Sequence, residues 1–185
     1  MTDTTAHRIT SLAELDALYG AANPLAIAKE APRLTEPYRR FVELAPFVAI
    51  ATQGAGGLDC TPRGDPGAVA VVLDDKTVAI PDRRGNNRLD TLRNLVADPR
   101  VALLFLIPGA NETVRINGRA VLSTDPDLIR RTTMDDKAPK CVIVVTIDTV
   151  YFQCGKALVR SRLWQPEGKV DRALIPTAGQ MAAAA

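Results

Sequence analysis

One short segment carries the side chains best suited to chemistry, Pro81-Asp-Arg-Arg-Gly-Asn-Asn-Arg88. It follows an apolar strand and opens a predicted helix over residues 87–97, whose apolar residues recur at spacings of three and four. Asn87 is the predicted N-cap of this helix, and Asp90 follows three residues later. A helix N-terminus beside guanidinium groups is a favourable place for a phosphate, so the segment predicts phosphate binding. A capped helix flanked by solvated arginines is the alternative.

The scarcity of histidine and cysteine limits the catalytic mechanisms that the chain could use. His7 is the only histidine, and it lies in a predicted disordered tail over residues 1–10. Serine–histidine and cysteine–histidine catalysis and histidine-based metal sites are therefore not expected in the core, and no metal site is predicted. Cys60, Cys141 and Cys154 form no CxxC pair, which fits a reduced cytoplasmic protein. An enzyme of this composition would take its chemistry from a cofactor.

The overall composition is typical of a soluble globular protein. Of its 185 residues, 46% are hydrophobic and 24% are charged, which allows a substantial core. The net charge of +2 gives no support to a nucleic-acid or membrane-surface partner. No apolar run reaches the roughly 18 residues of a membrane span, and no secretory signal is visible, so we expect a cytoplasmic protein. The excess of 17 arginines over 6 lysines suits phosphate recognition or reflects codon bias.

The elements that must position the candidate segment are mainly short strands. Strands are predicted at 47–52, 58–62, 68–73, 77–80, 101–107, 113–123 and 140–150. Further helices are predicted from Ser11 to near Gly20, from Thr35 through Leu44, and after Asp125, with a connector between the first two. The pattern predicts a mainly β (α+β) fold, a small six- to seven-stranded antiparallel barrel with peripheral helices. The expected domain covers residues 11–168, and residues 169–185 form a C-terminal tail.

Several motifs, in order, resemble the pyridoxamine 5′-phosphate oxidase-like FMN-binding split barrels. The first is the Pro81–Arg88 segment, followed by a helix, Asp98-Pro-Arg-Val101 and a hydrophobic strand. Further blocks resemble one subgroup, whose members are expected to be FMN-dependent enzymes. These blocks are Thr61-Pro-Arg-Gly-Asp65, Ile107-Pro-Gly-Ala-Asn-Glu-Thr113, Arg115-Ile-Asn-Gly118 and Cys154-Gly-Lys-Ala-Leu-Val-Arg-Ser-Arg-Leu-Trp164. The resemblance covers roughly residues 10 to 168 and implies a split β-barrel.

The resemblance also implies a homodimer with FMN bound at the interface. Carried over by motif, the phosphate would be held by Asn86, Asn87 and Arg88. Arg63 would approach from the preceding bend, where Asp65 could instead pair with it in a hairpin corner. The backbone of Pro81 and Asp82 would face the isoalloxazine edge. Further pocket residues would be Arg115 and Asn117, from either subunit, and Lys156, Arg160, Arg162 and Trp164 on the substrate or ring side.

The function expected from this resemblance is an FMN-dependent oxidoreductase acting on a small molecule, with NAD(P)H as a candidate electron donor. Two departures limit it. Gln153 stands where the subgroup usually has a histidine, and Arg162-Leu-Trp164 only partly matches the substrate motif of pyridoxamine phosphate oxidases. Vitamin B6 oxidation itself is therefore not expected. A non-catalytic flavin-binding or flavin-sequestering protein, a redox sensor, and the same fold with deazaflavin or heme are the alternatives.

Overall fold

The computed structural model describes residues 7–21 and 23–185, which belong to two compact units, residues 1–30 and 31–185. Residues 1–6 of the predicted disordered tail lie outside the described residues, and the predicted domain limits stay predictions. In the first unit, helix α1 (Leu12–Tyr19) begins with a capping box and ends at Gly20, as predicted. Helix α2 (Pro24–Ala28) corrects the predicted connector. Proline is tolerated at the first helical position because its missing N–H is not needed there.

The second unit is built on one antiparallel sheet of seven strands. In chain order these are β1 (Phe47–Gly54), β2 (Gly57–Gly64), β3 (Val71–Val72), β4 (Thr77–Pro81), β5 (Arg100–Leu106), β6 (Thr113–Ser123) and β7 (Val142–Gln153). Their order in the sheet is β2-β1-β5-β6-β7-β4-β3. The predicted fold class, an α+β split barrel with six or seven antiparallel strands, is confirmed.

The helices of the second unit lie before, between and after the strands in the chain. The second unit contains α3 (Glu36–Leu44), α4 (Asp90–Ala97), α5 (Pro126–Thr132), α6 (Lys156–Ser161) and α7 (Ala178–Ala183). Two 3₁₀ turns, Pro166–Gly168 and Arg172–Leu174, lie between the last two helices. Among the residues that the structure describes, no helix has both the length and the apolar character needed to cross a membrane.

Two strand predictions need correction. The strand predicted over 68–73 shrinks to β3, because Val69 is instead tied to the α3–β1 corner by a 2.9 Å hydrogen bond from its N–H to the Ala45 carbonyl. Val69 is only 2% exposed, so the chain enters the core here before it pairs with a strand. The last strand continues to Gln153, three residues beyond its predicted end, because its partner β6 also extends that far and Gln153 lies opposite Thr113.

The two faces of the sheet differ in burial. Directly opposed residues of neighbouring strands share a face, and the row through Ile50, Leu103 and Ile116 is fully covered. We call this the inner face, and α4 packs on it against β1, β2 and β6. The row through Leu104 and Arg115 belongs to the opposite, outer face and is only half-buried. The sheet alone therefore leaves its outer face partly open.

Candidate functional site

A cavity of about 610 Å³ lies between the inner side of β2, the end of β4 and the beginning of α4. Its size falls within the roughly 300–1,000 Å³ of typical small-molecule sites. Lysine and arginine side chains supply five positive charges to its lining, and aspartates supply three negative ones. These residues are Arg63, Arg83, Arg84, Arg88 and Lys140 against Asp59, Asp82 and Asp90. The excess of positive charge favours an anionic ligand.

The loop between β4 and α4 forms one wall of the cavity and brings together Asn86, Asn87 and Arg88. Asn87 is not the N-cap of α4, which corrects the prediction. The helix begins at Asp90, its N-cap is Leu89, and no side chain caps it. Asn87 and Leu89 both have left-handed backbone, with φ of 59° and 63°. These two residues turn the chain once more before the helix starts, and this leaves all three loop side chains exposed along the cavity.

Arg63 reaches the cavity from β2. Its guanidinium donates hydrogen bonds to the Thr61 hydroxyl at 3.1 Å and the Pro62 carbonyl at 3.0 Å. The carboxylate of Asp82 is 3.7 Å away, close enough for an ion pair but too long for a hydrogen bond. Burial raises the pKa of Asp82, and the charges of Arg63 and Lys140 oppose that shift. The pairing of Arg63 is therefore loose, and an incoming anion could replace Asp82.

Arg83 belongs to the same loop, but its side chain is occupied elsewhere. It donates two hydrogen bonds from Nε and one from Nη2 to the Asp65 carboxylate, at 3.0, 3.0 and 2.8 Å. Its Nη1 donates to the Thr132 carbonyl at 2.6 Å. The sequence alternative in which Asp65 pairs with Arg63 is wrong, because each of the two residues instead pairs with a residue that follows β4.

Helix α4 is fixed to the β1–β2 hairpin by buried polar contacts. The Thr91 hydroxyl donates to the Asp59 carboxylate at 2.5 Å. Farther along the helix, the Asn94 amide donates to the Thr52 hydroxyl at 3.2 Å and to the Gly57 carbonyl at 3.3 Å. These contacts determine where the helix begins relative to β2. The loop before α4 is therefore held at the far side of the cavity.

The hairpin can accept α4 this closely because Gly54 has no side chain. A Cβ built on Gly54 would overlap the Asn94 side chain and would lie 2.9 Å from the Asn94 Cα atom. Real Cβ atoms essentially never come that close to a neighbouring atom. Gly54 is thus a glycine required by close packing.

Arg115 and Asn117 lie on the outer face, opposite to the cavity side of β2. Arg115 stands over the ring of Tyr151, with its guanidinium carbon 5.3 Å from the ring centroid. The structure does not bring these two residues to the cavity of the same chain. Pro81 is buried and pairs with Val142 at the end of β4, so only Asp82 of that pair lines the cavity.

The C-terminal residues predicted for the site also lie away from this cavity. Lys156 and Arg160 are exposed on α6, and Arg162 ends that helix in left-handed backbone with φ of 53°. The indole N–H of Trp164 donates to the Ala110 carbonyl at 2.7 Å. This bond fastens the C-terminal segment to the turn between β5 and β6. Gln153, where the subgroup usually has histidine, is exposed at the end of β7.

Sequence reasoning did not assign Asp59, Thr91 or Lys140 to the cavity, although all three line it. Asp59 and Thr91 meet only because α4 folds onto β2, so no local spacing connects them. Arg83 belongs to the segment predicted to bind phosphate, but nothing in the sequence indicates that its side chain turns toward Asp65. Lys140 enters from the segment before β7, and its separation from the loop along the chain concealed it.

The fold is a split barrel, and its cavity carries an excess of positive charge. A family model described as pyridoxamine 5′-phosphate oxidase matches residues 34–154. The chain belongs to the pyridoxamine 5′-phosphate oxidase family. No curated protein matches it in sequence.

Two solved structures show the same fold. The chain is similar to HupZ of Group A Streptococcus, with a TM-score of 0.53 and 16% identity over 63% of this chain and 91% of that chain. It is also similar to a Lactobacillus delbrueckii protein described as a candidate pyridoxamine 5′-phosphate oxidase. That match has a TM-score of 0.51 and 22% identity over 65% of this chain and 95% of that chain. At such identities the likeness concerns the fold.

Proposed function

We propose that the protein binds FMN through its phosphate group in the cavity beside α4 and acts as an FMN-dependent oxidoreductase. The observation that carries this proposal is the loop 84–88. It exposes two amides and two guanidinium groups along a cavity of about 610 Å³, next to a helix whose first turn has no side-chain cap. Phosphate oxygens accept hydrogen bonds from such donors, and the helix N-terminus favours their negative charge. Membership of the oxidase family supports the same reading.

The donor set of the cavity fits the phosphate end of FMN. Asn86, Asn87 and Arg88 would hold the phosphate, with Arg63 approaching from β2. When bound, the flavin ring supplies hydride and electron transfer, with NAD(P)H as the candidate donor and a small organic molecule or oxygen as acceptor. The protein's own residues bind and orient the cofactor, and Asp82 places a titratable carboxyl beside Arg63. No strong catalytic acid or base is required of the chain.

The second part of the proposal is a cytoplasmic homodimer. The outer face carries the half-buried apolar residues Ala49, Leu104 and Leu106 on the interior strands β1 and β5, and Phe47 beside them is 37% exposed. A second subunit on this face would bury them and gain roughly 25 cal/mol for each Å² of apolar surface. It would also cover Arg115 and Asn117, which lie on the same face. The outer-face residues would then complete the ring side of a site shared by two subunits.

The direct test of the cofactor is the visible spectrum of the purified protein, with mass identification of whatever denaturation releases. Flavin absorption bands and a released mass equal to FMN are the expected result. A colourless protein that also fails to bind added FMN would overturn the proposal, and a released deazaflavin or heme would replace the cofactor. Anaerobic titration with NADH and NADPH then distinguishes a flavin-dependent enzyme from a non-catalytic flavin-binding protein. Bleaching and reoxidation by air indicate turnover, and an unreactive bound flavin indicates a binding or sequestering protein.

The homodimer has its own test in Leu104→Glu, which places a charge on the outer face. The expected result is a dimer for the wild type and a monomer for the variant in sedimentation velocity at micromolar concentration. Val96→Glu is the matched control, because Val96 is 77% exposed on α4 and should tolerate the same charge. A wild-type monomer that is fully loaded with FMN would contradict the shared site.

A further inference from the structure

We propose that Arg83 is a positioning residue, which holds the phosphate-binding loop in place by clamping it to Asp65 and to the end of α5. The proposal rests on the proposed function, because it assigns a role toward the phosphate of FMN. It separates Arg83 from its loop neighbours Arg84 and Arg88. Those two would meet a ligand directly, whereas Arg83 acts through the position of the loop.

The clamp uses every nitrogen of one guanidinium group. Nε and Nη2 donate to the two oxygens of Asp65 at 2.8 to 3.0 Å, and Nη1 donates to the Thr132 carbonyl at 2.6 Å. The Asp65 side chain is only 5% exposed and that of Arg83 is 26% exposed, so the carboxylate of this bidentate pair is shielded from water. Thr132 lies in the last turn of α5, where carbonyls have no partner within the helix. Arg83 therefore has little free capacity for a ligand.

The clamp also joins parts of the sheet that are not neighbours. Asp65 follows β2, which is one edge of the sheet, and Arg83 follows β4 near the other edge. The ion pair of Arg63 with Asp82 also joins the end of β2 to the end of β4, but its two charged groups are farther apart, at 3.7 Å. We call the space between the ends of β2 and β4, in which the cavity lies, the split. Arg83 makes the stronger of these two links across it.

The loop depends on this anchor because it has few others. Its residues 84–89 are all exposed. Its side-chain hydrogen bonds are local, from the Arg88 backbone N–H to the Asn86 side-chain Oδ1 and from the Arg88 Nε to the Asp90 carboxylate. The loop is fastened at its end by Thr91 on Asp59 and at its beginning by Arg83 on Asp65. Loss of the Arg83 anchor should leave the side chains that donate to the phosphate unchanged but poorly oriented.

The test compares FMN with riboflavin, which has the same ring and ribityl chain but no phosphate. The ratio of their dissociation constants measures the phosphate contribution alone. For Arg83→Gln and Asp65→Asn we expect the preference for FMN to fall at least tenfold, while riboflavin affinity stays within twofold. Arg83→Lys, which keeps the charge but has a single donor nitrogen, should lose less of this preference. The control Arg33→Gln removes the exposed pair with Asp75 and should leave the ratio unchanged.

Asp65→Asn distinguishes positioning from direct binding. If Arg83 were itself a phosphate ligand, freeing it from Asp65 would preserve or increase the preference for FMN, and that result would overturn the proposal. A second measurement needs no flavin. Backbone ¹⁵N relaxation of residues 84–89 in the ligand-free protein should show order parameters that fall below about 0.6 in Arg83→Gln. Unchanged order in a folded variant would also overturn it.

The two measurements keep this proposal apart from the proposed function. If the wild type binds FMN no better than riboflavin, phosphate recognition at this loop fails, and relaxation alone decides whether Arg83 orders the loop. If the wild type prefers FMN but neither variant changes the ratio or the loop order, the clamp fails and the FMN assignment stands.

Discussion

Replacing Asp82 with asparagine should make the protein bind phosphorylated flavin more tightly. Asp82 is the carboxylate that lies nearest to Arg63, and both line the cavity. The substitution keeps the size of the side chain and the hydrogen bond from the residue 82 N–H to the Cys141 carbonyl at 3.0 Å. It removes only the negative charge that competes with a ligand for Arg63.

The size of the effect follows from the geometry of the pair. The two groups are 3.7 Å apart, without a hydrogen bond, and their side chains are 21% and 16% exposed. A pair of this kind is worth roughly 1 kcal/mol, since partial solvation screens it. An anion that takes Arg63 from Asp82 must offset that energy, so removal of the Asp82 charge should tighten FMN binding by about 1 kcal/mol, or roughly fivefold. Riboflavin affinity should not change.

The pH dependence of this effect is the sharpest part of the prediction. Burial raises the pKa of Asp82, so the carboxyl becomes neutral at a higher pH than usual as the solution is acidified. The wild type should therefore approach the affinity of the variant as pH falls. Fluorescence titrations from pH 8 down to 4, expressed as the ratio of the two dissociation constants, cancel the titration of the phosphate itself. A ratio that stays at one throughout, or that favours the wild type, would refute the reasoning.

Three further outcomes are expected. Asn87→Ala with Arg88→Ala should weaken FMN binding at least tenfold in a protein that remains folded by circular dichroism, and unchanged affinity would remove these residues from the phosphate site. Gly54→Ala should lower the free energy of unfolding in urea by about 1–3 kcal/mol, because the new Cβ overlaps Asn94. Trp164→Phe should cost about 1 kcal/mol through its lost indole hydrogen bond, whereas a variant as stable as the wild type would show that this bond does not hold the C-terminal segment.

Much of the fold could be predicted because it is encoded locally. The row of Ile50, Leu103 and Ile116 is apolar in the sequence and buried in the structure, and the glycine- and aspartate-rich turns separate the strands where expected. Predictions failed where a tertiary contact overrides the local pattern. The apolar run around Val69 resembles a strand. In the structure Val69 is buried in the core and its N–H donates to the Ala45 carbonyl, so it does not pair with a neighbouring strand.

The candidate site was predictable in its loop and not in its pairing. The residue types from Asn86 to Arg88 predict an anion site, and the structure places these residues along the cavity. The prediction that Asn87 caps the helix failed because Leu89 adopts a left-handed turn before the helix begins, and the sequence does not indicate this since leucine rarely adopts that backbone. Contacts such as Thr91 with Asp59 join residues distant along the chain, and a single sequence holds no information on them.

The two ion pairs across the split explain why the Thr61–Asp65 and Pro81–Arg88 motifs occur together in this chain. Arg63 and Asp65 are two residues apart at the end of β2, and Asp82 and Arg83 are adjacent after β4. The first motif contributes Arg63 and Asp65, the second contributes Asp82 and Arg83, and each of these four charges meets its opposite in the other motif. Either motif alone would leave a shielded charge unpaired, which is costly. The tight pair, Arg83 with Asp65, fixes the loop, while the loose pair leaves Arg63 available. The same four residues can therefore link the ends of β2 and β4 and still leave the Arg63 guanidinium available to an anion.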